Sequence, residues 1–147
     1  MAKPGKLPLG VWAAFEDLEI YLLEELEKRQ SRKYRYTWED RLVGLLDDCE
    51  LQIATANAAD AKGTKRRLAL GQAEQLFYKI CLKLRKGYRL GIFTQDQYGV
   101  IVEMISRFEA LFISWVTKYN SNTDFIRRFE VEGRVEFDKK TFSRVVQ

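Results

Sequence analysis

The strongest constraint on the fold lies between residues 98 and 119, where Tyr98, Ile101, Ile105, Phe108, Phe112, Trp115 and Tyr119 recur at alternating spacings of three and four without a miss. Those are heptad core positions, and they commit the segment to a helix with one apolar seam. Both prolines, Pro4 and Pro8, precede every such pattern, so no helix interior has to accommodate one. Beside the seam lie Val102, Met104, Leu111, Ile113 and Val116, making the apolar arc wider than a bundle core alone requires. Either this helix is central and deeply buried, or a second face is used between subunits, with Met104, Leu111, Ile113 and Trp115 as the interface candidates.

Three earlier segments carry the same kind of stripe. From Val11 to about Gln30 it is Trp12, Phe15, Leu18, Leu22 and Leu26, with an outer face of Glu16, Asp17, Glu19, Glu24, Glu25 and Glu27. Lys28 and Arg29 stand at the end, where the helix dipole favours cations. After a short basic connection, 31–36, Thr37-Trp38-Glu39-Asp40 has the form of a helix start with a threonine cap. Trp38, Leu42, Leu45, Leu46, Cys49, Ile53 and Ala56 then line a second helix to about Ala59. Asp47, Asp48 and Glu50 lie off that stripe and read as an exposed acidic face, because adjacent residues on a helix diverge. Gly63 and Thr64 open the third helix, which runs over 65–91 with Ala73, Leu76, Phe77, Ile80 and Leu84 on one face and Lys79, Lys83 and Lys86 on another. Gly87 and Gly91 bracket its end, and Thr94 with Gln97 has the spacing of a capping box.

Four amphipathic helices joined by short turns pack as neighbours running in opposite directions. The expected fold is therefore all-α, an antiparallel up-down-up-down four-helix bundle over residues 11–120. A Pro/Gly/Lys segment precedes it at 1–10. The extension at 121–147 contains a run, Phe129 to Phe137, that alternates apolar and charged residues around Gly133 as a small hairpin would. A chain of 147 residues is one ordinary domain. It contains no histidine, which removes the commonest general base and the usual nitrogen ligands of zinc and copper. An enzyme is disfavoured, and no catalytic residue, metal ligand or cofactor is assigned. Cys49 and Cys81 fall on or beside apolar stripes and read as buried thiols of a reducing compartment. With no uninterrupted apolar run, the expectation is a cytoplasmic protein with no membrane partner.

A formal net charge of +4 conceals a strong asymmetry. Residues 62–91 hold nine Lys and Arg against one acid, Glu74, whereas the first and second helices are acidic. Such an element is a candidate polyanion face. Lys79, Lys83 and Lys86 would contact phosphates, Lys65, Arg66, Arg67, Arg85 and Arg89 would add to them, and Tyr78 or Tyr88 would stack on an unpaired base. The other reading is that the acidic helices neutralise the basic one within the bundle.

The laid-out helices resemble the four-helix-bundle family that includes the accessory variability determinant (Avd) of diversity-generating retroelements and, more distantly, the small protein encoded in intervening sequences of bacterial large-subunit rRNA genes. The resemblance spans about Phe15 to Asn120. It rests on Phe15-Glu16-Asp17-Leu18 with Tyr21-Leu22, on the run from Leu76 to Leu84, on Leu90-Gly91-Ile92-Phe93-Thr94-Gln95-Asp96-Gln97-Tyr98, and on Ser114-Trp115-Val116 with Tyr119-Asn120. It implies a non-enzymatic partner of a reverse transcriptase, a homopentamer that binds the polymerase and its template RNA (or DNA) and supports mutagenic cDNA synthesis. Lys79 and Lys83 stand where that family is expected to contact its partners. The segment beyond Ser121 departs from the family pattern. The alternative is a bundle of the rRNA intervening-sequence type, or a helical protein-interaction scaffold with no nucleic-acid role.

Overall fold

Each apolar stripe folds into a helix. In the computed structural model, α1 spans Gly10–Glu27, α2 Asp40–Asn57, α3 Gly63–Arg89 and α4 Gln95–Tyr119, with a single π turn, Arg35–Glu39, leading into α2. The structure describes residues 10–58 and 63–119. The side chain of Tyr119, the 1–10 segment up to residue 9 and the 121–147 extension with its expected hairpin lie outside the described residues. Among the described residues there is no strand, and the class is all-α with four helices, as the periodicities predict. They fall into two compact units, the first ending at Lys83 and the second beginning at Leu84, so that α3 contributes to both.

In the first unit, Val11, Ala14, Phe15, Leu18, Leu22 and Leu26 are the buried side of α1, and Leu42, Leu46, Cys49, Ile53 and Ala56 that of α2. Phe15 meets Phe77 of α3 with ring centroids 6.4 Å apart and tilted, a favoured aromatic geometry. The Cys49 thiol donates to the Ala73 carbonyl at 3.6 Å, and the Trp38 indole Nε1 donates to the Lys83 carbonyl at 2.9 Å. The turn entering α2 thus meets late α3 and mid-α2 meets earlier α3, so the two run antiparallel. At the start of α1, Trp12 Nε1 donates to Glu50 Oε2, late in α2, at 3.1 Å. Arg32 reaches both Glu27 at the end of α1 and Glu39 at the entry to α2, which makes that pair antiparallel as well.

Two boundaries differ from the sequence reading. Helix α1 stops at Glu27, so Lys28 and Arg29 stand just past its last turn rather than within it. There Lys28 pairs with Glu25 at 3.0 Å, and Arg29 donates from Nε to the Ser31 carbonyl at 3.2 Å as the chain turns. Thr37 is no cap either. It sits inside the π turn, in which the Glu39 N–H reaches the Tyr34 carbonyl at 3.0 Å, and no side-chain hydrogen bond caps the start of α2. The Trp38 ring, buried and bonded to Lys83, fixes the backbone here ahead of any local capping preference.

In the second unit, α3 closes in a Schellman motif. The Ile92 N–H returns to the Gly87 carbonyl at 2.8 Å and the Gly91 N–H to the Tyr88 carbonyl at 3.0 Å, with Gly91 at φ +81°. Only glycine adopts that left-handed backbone without a Cβ penalty. The capping box forms as its spacing predicts: the Gln97 N–H donates to Thr94 Oγ1 at 3.1 Å and the Thr94 N–H to Gln97 Oε1 at 2.8 Å. Behind it Tyr98, Ile101, Ile105, Phe108 and Phe112 are buried, with Trp115 half-buried and edge-on to Phe112.

Candidate nucleic-acid interface

Within the first unit, α3 buries Ala69, Leu70, Ala73, Phe77 and Ile80 and turns the opposite side to solvent. That exposed side is Lys65, Leu68, Gln72, Gln75, Lys79 and Leu82, spaced by three and four throughout, with the half-buried Lys83 beside Lys79. The stripe runs about 26 Å along the helix at 1.5 Å per residue and contains no carboxylate. Glu74, the acid that the charge count set against the lysines, is 2% exposed. It lies four residues after Leu70 and three before Phe77, on the packed side, so its carboxylate does not stand among the cations of the outer face.

The cations named from the sequence do not all share this stripe. Lys65 stands at one end and Lys79 and Lys83 at the other, with two glutamines between. Arg67 is exposed on the flank that also carries Tyr78. Arg66 is half-buried with its Nε out of solvent, on the side of Ala69 and Ala73, which removes it from the exposed face. In the second unit Lys86 and Arg89 are exposed and Arg85 is half-buried. Tyr88 is not available as a base-stacking ring, because it is already stacked on Tyr98 with centroids 4.7 Å apart and planes 5° from parallel. Tyr78 is 42% exposed.

The interface candidates on α4 also divide. Met104, Leu111, Ile113 and Trp115 are all half-buried. At 100° per residue, Met104, Leu111 and Trp115 share one flank of the buried seam and Ile113 falls on the other.

The acidic helices have their own chemistry. Asp47 and Asp48 are exposed, as expected, but Glu50 is half-buried beneath Trp12 and faces Glu19. Burial, followed by the charges of Glu50 and Asp47, the hydrogen bond to Glu50 and the charge of Glu16, pushes the Glu19 carboxyl up from 4.5 to about 7. A raised carboxyl pKa means the folded state holds the proton more tightly. The resulting stability is complete below pH 4.5 and is lost as pH rises through about 7. Glu19→Gln is therefore expected to melt with the native chain in acid and above it at pH values beyond 7; parallel melting curves across that range would show that Glu19 titrates normally. Among the described residues no group of three Asp, Glu, Cys or His side chains could hold a metal ion, and no helix is long and apolar enough to cross a membrane.

The sequence reading missed the role of Trp38 in carrying the basic 31–36 connection to the α3 turn of Lys83. Its signal was present, as an indole N–H inside an apolar stripe needs an acceptor, but the acceptor lies 45 residues away. In comparisons with known proteins the chain matches no family model, no curated protein and no solved structure.

Proposed function

We propose that this chain is a non-enzymatic, RNA-binding accessory protein that partners a reverse transcriptase, the role implied by its resemblance to the Avd-like bundles. The observation that carries the nucleic-acid reading is the carboxylate-free outer stripe of α3, where Lys65 is exposed at one end and Lys79 is exposed beside the half-buried Lys83 at the other. Lysines so placed bind phosphates as point charges and release counterions, giving affinity with little dependence on sequence. The polymerase partner and a pentameric assembly rest on the resemblance, and the cytoplasmic setting rests on the sequence reading of its apolar runs. The flank of Met104, Leu111 and Trp115 is the surface offered for self-association, and light scattering on the eluting protein measures its stoichiometry.

Salt provides the direct test. With three lysines on phosphates, the affinity for a short single-stranded RNA is expected to fall with a slope of about −2 in log K against log salt between roughly 50 and 200 mM. An affinity that does not weaken over that range contradicts phosphate contact.

A further inference from the structure

The π turn at Arg35–Glu39 carries Tyr36, the most exposed aromatic ring of the described residues. Tyr36 is 77% exposed. Arg35 holds its guanidinium carbon 5.7 Å from the centre of the Tyr36 ring, and Lys33 holds its ammonium 5.3 Å from that of Tyr34. Lys33 and Arg35 are themselves exposed. The third cation of the connection, Arg32, is occupied: its guanidinium forks onto the Glu39 carboxylate.

An exposed ring is usually carried on a mobile segment, but this one is held at both ends. The Arg32–Glu39 fork closes the turn across its base, and backbone bonds from Trp38 and Glu39 converge on the Tyr34 carbonyl at 2.9 and 3.0 Å. Two residues beyond Tyr36, Trp38 is buried and bonded to the Lys83 carbonyl. This fixes the turn beside the α3 segment that carries Lys83, one helical turn (about 6 Å of rise) from Lys79.

We propose that this turn is a binding site for an unpaired base of a single-stranded nucleic acid, with Tyr36 as the stacking platform and Lys33 and Arg35 holding the adjoining phosphates. The inference rests on the nucleic-acid reading of α3 and extends it: the lysine stripe supplies charge, and the turn supplies discrimination for single strands over duplex. A flat π face flanked by a guanidinium suits a base, whose ring stacks without regard to its identity. An acidic peptide would satisfy the cations and leave the ring unused. The 2′-hydroxyl plays no part in such stacking, so single-stranded RNA and DNA are both ligands of the turn.

The test compares Tyr36→Ala and Tyr36→Phe in the full chain, using fluorescence anisotropy with single-stranded RNA, single-stranded DNA and a duplex, each of roughly twelve nucleotides or base pairs. Tyr36→Ala is expected to weaken both single strands about tenfold and leave the duplex unchanged, and Tyr36→Phe to bind as the native chain does. Because Tyr36 is exposed, circular dichroism should not change. Native single-strand affinity in Tyr36→Ala, or an equal loss on the duplex, overturns the stacking site while the α3 reading stands. If the native protein binds neither single strands nor duplex, both fall together.

Discussion

Trp38→Ala is expected to cost about 3–5 kcal/mol of unfolding free energy, among the largest effects of any single truncation in the chain. The ring is 2% exposed, so its removal leaves a cavity that helices already fixed by other contacts fill only in part. Its Nε1 hydrogen bond to Lys83 is lost as well. Trp38→Phe separates the two contributions, since it keeps most of the apolar volume and removes the donor, at a net cost of about 0.5–1.5 kcal/mol for the bond. Urea denaturation of the three proteins measures both. Equal losses in the two variants would assign the effect to the hydrogen bond, and a loss under about 1 kcal/mol for alanine would contradict the tight burial of the ring.

The largest functional effect is expected from Lys79→Glu combined with Lys83→Glu. Reversing two adjacent cations removes two phosphate contacts and places two anions where phosphates would sit. Binding to single-stranded RNA should drop about a hundredfold or more at low salt, and the log–log salt slope should become shallower by about 1.4. Neither side chain is part of the core: Lys79 is exposed, and Lys83 is half-buried, its contact with Trp38 made through the backbone carbonyl. Circular dichroism and oligomer size should therefore be unchanged. Retained binding would remove these residues from the interface, and the same pair tested against a candidate reverse transcriptase reads the second half of the proposed function.

What the sequence made legible follows the range of the interactions involved. The Thr94–Gln97 box and the Gly91 stop are decided within a few residues, and both form as their spacing predicts. The apolar stripes are legible because burial samples each helix at its own period. Thr37 failed as a cap because a contact 45 residues away outweighs it. Glu74 was counted by its charge, yet it is buried, and so is Glu109 of α4. Their register revealed this: Glu109 sits between Ile105 and Phe112 on the seam, just as Glu74 sits between Leu70 and Phe77. The basic face was visible as composition, but its division into Lys65 at one end and Lys79 with Lys83 at the other depends on which residues the fold turns outward. Arg66 shows the limit of charge counting, since it stands between two cations in sequence and turns away from them in space.

Cys49 and Cys81 are both buried. Desolvation, followed by the nearby charges of Glu50 and Glu19, raises the Cys49 thiol far above its ordinary value, and only the thiolate reacts readily. Since these are the chain's two cysteines, the folded protein offers thiol reagents no ready target. A single cysteine introduced on the surface would therefore accept a fluorophore or crosslinker selectively under native conditions, with neither native thiol first having to be replaced.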